Sequence, residues 1–320
     1  MLATVLSATL IGLDGRVVRV EVDVAGGLPG FTIVGLADTA LQEARERVRG
    51  AIRNAGFSFP PRRITVNLAP AEQRKAGASL DLAIAMAVLL GSEQIRPAPG
   101  RVGLIGELSL GGEVRSVPGV LPMVAALGRR GVRRILVPFG AVDEASLVEG
   151  AAPIGVRNLP EAAEIVRRRA NRHRVVTPPR IDLEGDGRQP GDETSPGPVT
   201  MDAPGRPHVP DLAEVRGQME ARRGLEIALA GGHGLLLVGP PGSGKTLLAR
   251  TIPGLLPPLP DAEALAATIV ASVAAEAPVR ALVRQAPVRS PHHTLSYAAM
   301  VGGGPRMSPG EVTLADHGVC

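Results

Sequence analysis

Residues 239 to 246, "GPPGSGKT", put three glycines, a lysine and a threonine within eight positions. The pattern G-x-x-x-x-G-K-[ST] is met by Gly239, Gly244, Lys245 and Thr246, with Pro240, Pro241, Gly242 and Ser243 between them. Each residue type has a chemical reason. Glycines let successive backbone N–H groups converge on an anion without Cβ clashes. A helix opening near Lys245 would aim the positive end of its dipole at the same point. The lysine ammonium suits the β- and γ-phosphates of a triphosphate, and the threonine hydroxyl suits Mg²⁺. The expected ligand is ATP with Mg²⁺, held by residues 239 to 246, with Thr246 on the metal.

Hydrolysis needs more than a cradle. A second strand usually brings an acid to Mg²⁺ and another acid to polarise the attacking water. After Thr246 the acids are Asp261, Glu263, Glu276, Glu311 and Asp316, and none follows an apolar strand. The sequence therefore predicts at most weak nucleotide binding and no turnover.

A phosphate loop requires a strand leading in and a helix leading out. "LLLV" (235–238) supplies an apolar strand, and a helix is expected from 245. A further helix is expected over 218–230, and another in "AEALAATIVASVAAEAP". Upstream, residues 1 to about 170 read as one α/β unit. "VVRVEVDV" (17–24), "FTIVG" (31–35), "RITVNLA" (63–69) and "RRILVP" (133–138) read as strands. Leu41, Ala44, Val48, Ile52 and Ala55 fall on one face of a helix that Asp38 can cap and Gly56 can stop. "SLDLAIAMAVLLG" (79–91) reads as a buried helix, "RVGLIGELSLGGEVRSV" (101–117) as a hairpin turning at Gly111-Gly112, "LPMVAALGRRG" as a helix and "PEAAEIVRRR" as the last helix. Residues 171–208, rich in Pro, Gly, Asp and Glu, read as a flexible linker between domains 1–170 and 209–320.

Composition sets bounds on these readings. The chain has 320 residues, 44% of them apolar and only 2% aromatic, so its cores must be built from Ala, Val, Leu and Ile. The net charge is +4 and almost every base is arginine; Lys75 and Lys245 are the two lysines. That balance permits contact with nucleic acid. The single cysteine, Cys320, excludes an internal disulfide or a cysteine-based metal site. The N-terminus lacks the basic start and cleavage site of a leader, and no apolar run is long enough to span a bilayer. A cytoplasmic protein with no membrane contact is expected.

"GLPGFTIVGLAD", "NLAPAEQRKAGASLDLAIAMAVL", "EVRGQ", "GGHGLLLVGPPGSGKT" and "SPHHTLSYAAMVGGGPRMSPGEVTLADHGV", in that order, resemble the YifB/ComM family of magnesium-chelatase-like AAA+ ATPases. The resemblance covers the chain apart from the linker. It implies a Lon-protease-like α/β domain (ribosomal S5 domain 2-like) followed by a P-loop AAA+ module. It further implies ATP and Mg²⁺, self-association into a ring, and for the ComM branch helicase work on DNA. By motif position "VRGQ" (215–218) would lie near the adenine. The family continues past "HGV" into an Asp-Glu motif, so the resemblance implies a copy cut short of its second acidic motif. A chelatase-type motor subunit is the alternative; the Lon-like domain argues against it.

The Lon-like reading also raises a peptidase. Ser79 in "KAGASLD" falls where that family's nucleophile would, but Leu121 stands where its lysine should. Lys75 precedes the helix and is not the motif's base. Arginine cannot act as the base near neutrality, so Ser79 is expected to be a helix N-cap. His292 and His293 are adjacent and are expected to point apart, with no acid or Cys cluster to complete a metal site. The basic run "RRRANRHR" (167–174) is expected to be a solvated helix end, with DNA backbone contact as the alternative.

Overall fold

A computed structural model describes residues 1–35, 39–71, 78–98, 100–167, 209–304 and 307–320, with the backbone alone at 39–42. Asp38, Lys75, the linker and all of the basic run except Arg167 lie outside the described residues.

The N-terminal part is built on a seven-stranded sheet. Its strands are β1 (Leu2–Ile11), β2 (Asp14–Ala25), β3 (Gly30–Val34), β4 (Arg63–Ala69), β5 (Val102–Leu104), β8 (Arg134–Pro138) and β9 (Ala152–Val156). The order is β3-β4-β2-β1-β5-β8-β9. β2 runs antiparallel to both β1 and β4, and the other four pairings are parallel. The fold is mixed α/β, as the sequence predicts, and its sheet is mainly parallel.

Helices cover both faces. α1 (Thr39–Asn54), α2 (Asp81–Gly91) and α5 (Leu159–Arg167) pack on one apolar cluster with Val18, Val20, Val22 and Val24 of β2. α3 (Val120–Arg129) and α4 (Val142–Ser146) cover the other face. Ala44, Val48 and Ile52 of the expected α1 stripe are fully buried, and Gly56 takes φ +83° just past the helix end. Every residue of α2 is buried, which explains its lack of an amphipathic pattern.

Two strands carry no readable alternation. β1 is central and inward on both faces; even Ser7 and Thr9 are buried, with Ser7 Oγ donating to the Leu104 carbonyl at 2.6 Å. β9 contains Pro153 and Gly155, residues that normally argue against a strand. It lies at the sheet edge, where a missing N–H costs no ladder bond. The expected hairpin over 101–117 divides. Val102–Leu104 joins the main sheet between β1 and β8, and only β6 (Glu107–Leu108) and β7 (Val114–Arg115) form the hairpin. Its turn is where expected, closed by Gly112 N–H to Ser109 O at 3.0 Å.

The C-terminal part contains α6 (Met219–Gly231), α7 (Lys245–Arg250), α8 (Ile252–Leu255), α9 (Asp261–Ala274), α10 (Tyr297–Val301) and α11 (Glu311–Leu314), with a two-residue ladder of β10 (Gly302–Gly303) and β11 (Ser308–Pro309). Its apolar contacts fall into two small clusters, around Leu212, Val215, Leu225 and Leu248 and around Leu259, Ala264, Ala267 and Ala286. α9 also reaches the N-terminal part. Ser272 Oγ donates to the buried Glu144 carboxylate at 2.5 Å, and the Ser272 carbonyl accepts from Gly119 N–H at 2.9 Å. Among the described residues no helix is long and apolar enough to cross a membrane.

Candidate functional site

The loop 239–244 runs from the apolar segment 235–238 into α7. Gly242 and Gly244 have φ of +81° and +85°, a region that a side chain resists. An added Cβ at either position would meet no atom within 4 Å, so each also borders open space. Within the loop, Ser243 N–H closes a turn on Pro240 O at 3.3 Å, and α7's first internal bond runs from Leu248 N–H to Gly244 O at 2.9 Å. The amides of residues 244 to 247 have no acceptor among the described residues. They are the first-turn donors that an anion takes up.

Lys245 Nζ folds back over the loop. It donates to Gly239 O at 2.7 Å, Pro240 O at 2.8 Å and Ser243 Oγ at 3.2 Å. A phosphate would compete with two neutral carbonyls for this ammonium, and a bond in which both partners are ionised is the stronger. Thr246 is exposed at the start of α7. These residues fit a triphosphate with its metal: open amides, an ammonium held only by neutral acceptors, and an exposed hydroxyl. Thr246 would hold the Mg²⁺, which supplies positive charge against the phosphate oxygens when bound.

Gln218 joins the loop from a distance in sequence. Its Nε2 donates to Ser243 O at 2.8 Å, so the "VRGQ" segment abuts the phosphate loop. Gln218 itself takes φ +52° as the residue before α6, and Val215 packs with Leu225 and Leu248 beneath. The Gln218–Ser243 contact has no signal in sequence spacing.

The expected strand 235–238 is not a strand. Leu236 is 85% exposed and Val238 86% exposed, and Leu237 alone of the four packs inward. A strand exists through its hydrogen-bonded neighbours, and no described strand pairs with this run. Apolar content predicts the segment's conformation only where a partner edge is present.

Of the five acids after the loop, three are paired with arginines and two lie near a histidine. Asp261 meets Arg284 at 2.8 Å, and Glu276 and Glu311 both bind Arg289, at 3.1 and 2.7 Å. Glu263 and Asp316 lie 3.8 and 3.7 Å from His317. The Arg289 contact holds the Glu311 carboxyl below its ordinary pKa, and Glu311 in turn keeps Arg289 charged.

Three other expectations change or sharpen. Ser79 is not a helix cap: it lies in a 3₁₀ turn at 78–80, buried, with Oγ donating to Ala8 O at 3.2 Å. The residue before α2 is Leu80, which offers no side-chain oxygen. Leu121 is buried, with its N–H on Glu144 at 2.8 Å, so the place expected of a catalytic lysine is an apolar core position. His292 and His293 do not point apart. A turn closed by Leu295 N–H on His292 O brings their rings to 4.2 Å, and His292 Nδ1 pairs with Thr294 Oγ1 at 2.7 Å. No group of three or more His, Cys, Asp or Glu suited to a metal occurs among the described residues.

Fold and loop together define a mixed α/β protein of the P-loop class. Comparison with known proteins narrows that class. One family model, described as subunit ChlI of Mg-chelatase, matches residues 20–141, and another, described as magnesium chelatase, subunit ChlI, matches residues 211–320. YifB of Escherichia coli (strain K12) is 40% identical over 319 residues, covering 99% of this chain and 58% of that protein. Rv2897c of Mycobacterium tuberculosis is 42% identical over 325 residues, covering 99% and 59%. The competence protein ComM of Haemophilus influenzae is 36% identical over 332 residues, covering 99% and 59%. The chain belongs to the magnesium-chelatase ChlI-like family that includes YifB and ComM. It spans 58–59% of the length of these curated relatives.

Proposed function

We propose that residues 239–246 bind ATP with Mg²⁺, and that the chain is the nucleotide-binding portion of an AAA+ protein that acts on DNA as a ring. In this reading residues 1–170 form the Lon-protease-like domain, 171–208 the linker and 209–320 the start of the ATP module, in a protein of the cytoplasm. The observation that carries it is the loop: two positive-φ glycines, unclaimed amides at 244–247, and Lys245 held at the lip by neutral carbonyls. The family supports nucleotide and Mg²⁺ use. The DNA part comes from the family resemblance and from ComM, a competence protein.

The same reading has this chain bind ATP without turning it over. Its support is that, of the acids that follow the loop, Asp261, Glu276 and Glu311 are paired with arginines and Glu263 and Asp316 lie beside His317. Steady-state phosphate release should not exceed background. Turnover that disappears in Lys245→Ala would refute the claim.

A chelatase-type motor subunit is the second reading, favoured by the descriptions of the two matching family models. Against it, YifB and ComM match the chain through its whole length, N-terminal part included. ATP-driven insertion of Mg²⁺ into a porphyrin, with partner chelatase subunits added, would reverse the order. A peptidase is not supported, because the Ser79 hydroxyl is buried on a carbonyl with no lysine base at Leu121.

A further inference from the structure

Gln218 holds a backbone conformation that its own side chain resists. Gly217 and Gln218 have φ of +71° and +52°, so the chain enters α6 through two successive left-handed residues. Glycine adopts that region freely; glutamine does so at a cost. A strained residue of this kind persists where the surrounding contacts over-determine it. Gln218 stands directly before α6, where a side chain usually accepts from the first helical amides, yet it caps none of them. Its Nε2 instead donates to Ser243 O, 25 positions away, at 2.8 Å. The segment beneath is seated against the same helices. Leu212 and Val215 pack with Leu225 of α6 and Leu248 of α7, and Arg222 Nη1 donates to Val215 O at 3.3 Å.

This contact decides which way one peptide plane faces. Ser243 C=O and Gly244 N–H belong to the same trans peptide, so they point in opposite directions. With the carbonyl on Gln218, the Gly244 N–H points away from Gln218, and that amide has no acceptor among the described residues. Gly244 has φ +85°, and a Cβ added there would meet nothing within 4 Å. A glycine in open space lets such a plane turn over at little steric cost. Gln218 is the one donor to Ser243 O among the described residues.

We propose that Gln218 is a positioning residue for the phosphate loop: by holding the Ser243 carbonyl it keeps the Gly244 amide turned toward the phosphates. It acts on the triphosphate end of the ligand and not on the base. The benefit is pre-organisation, since an amide that already faces the anion needs no reordering when the anion arrives. The left-handed backbone at Gln218 is what aims its side chain at the loop and away from α6.

The inference rests on the nucleotide reading above. To test it, the whole chain is loaded with a fluorescent ATP analogue in Mg²⁺, and the analogue is displaced by ATP or by inorganic tripolyphosphate, which has no base. Gln218→Asn keeps an amide and a residue type that tolerates left-handed backbone, but it is one methylene too short to reach Ser243. It should weaken ATP and tripolyphosphate by the same factor, about 3- to 10-fold, the loss of one neutral hydrogen bond. Gln218→Glu keeps the length and loses the donor. Its deficit against wild type should be at least that of Gln218→Asn at about pH 7 and smaller at about pH 4.5, where the carboxyl takes up a proton that it can donate. A general loosening of the segment would show no such pH dependence, and circular dichroism checks that each variant folds. A loss with ATP but not with tripolyphosphate makes Gln218 a base contact and overturns the proposal. Unchanged binding in Gln218→Asn, or a Gln218→Glu deficit that does not vary with pH, overturns it too. If wild type binds neither ligand, the nucleotide reading falls and this one with it. If Lys245→Ala loses both ligands while Gln218→Asn binds like wild type, the cradle stands and only the role of Gln218 falls.

Discussion

Asp81 opens α2 fully buried, gripped by Arg47 at two points, 2.8 and 3.3 Å, with Leu108 N–H 3.3 Å away. Burial outweighs these partners and pushes its pKa up to about 6, while the same contact holds the charge on Arg47. A folded-state pKa above the unfolded value means stability that is full below the unfolded value and lost as pH rises through about 6. Thermal stability of the N-terminal part should therefore decline between pH 4 and 7, and Asp81→Asn should flatten that slope. An unchanged slope would contradict the assignment. Asp81→Ala should cost about 1–3 kcal/mol at neutral pH in denaturant unfolding, because it takes from the half-buried Arg47 the partner it grips at two points. Sequence alone finds Lys245 and the loop, since the motif is local and each residue's chemistry is named by its type. It does not find Asp81 and Arg47, 34 positions apart, or Gln218 on Ser243, 25 apart, because nothing in local spacing encodes those meetings.

Elements were legible where one face is buried and the other wet. β2, β4, α1 and α3 show the expected periodicities and lie where the sequence puts them. β1 and β9 were missed because one is buried on both faces and the other is an edge interrupted by Pro153 and Gly155. The run 235–238 fails the opposite way: its composition is right, but no described strand pairs with it. α9 carries a contact that no pattern announces. Ser272 binds a carboxylate, Glu144, that also receives Leu121 N–H at the first turn of α3. Desolvation raises the Glu144 pKa, with the Ser272 and backbone donors opposing it. Ser272→Ala removes one donor from a buried acid and should weaken the docking of α9 by about 1–3 kcal/mol. Amide hydrogen exchange across 261–274 should then speed up while β1 and β2 stay protected. Unchanged exchange in α9 would show that the contact carries no docking energy.

At the scale of the molecule, a well-packed seven-stranded sheet is joined to a C-terminal part with two small apolar clusters and exposed Leu236, Val238 and Tyr297. Stability should be correspondingly uneven. Denaturant unfolding followed by hydrogen exchange should show residues 209–320 opening before the sheet; a single cooperative transition would contradict this. Family membership was legible from ordered motifs, whereas the placement of α9 against α3 was not. The central claim, that residues 239–246 hold a triphosphate through Lys245 and the open amides of α7, is tested most directly by titrating the chain with a fluorescent ATP analogue in the presence of Mg²⁺. Saturable binding is expected, weakened about 10- to 150-fold in Lys245→Ala, the loss of roughly 1.5–3 kcal/mol for a charged hydrogen-bonding group. Binding of equal strength in the wild type and the variant, or none in a folded wild type, would contradict it.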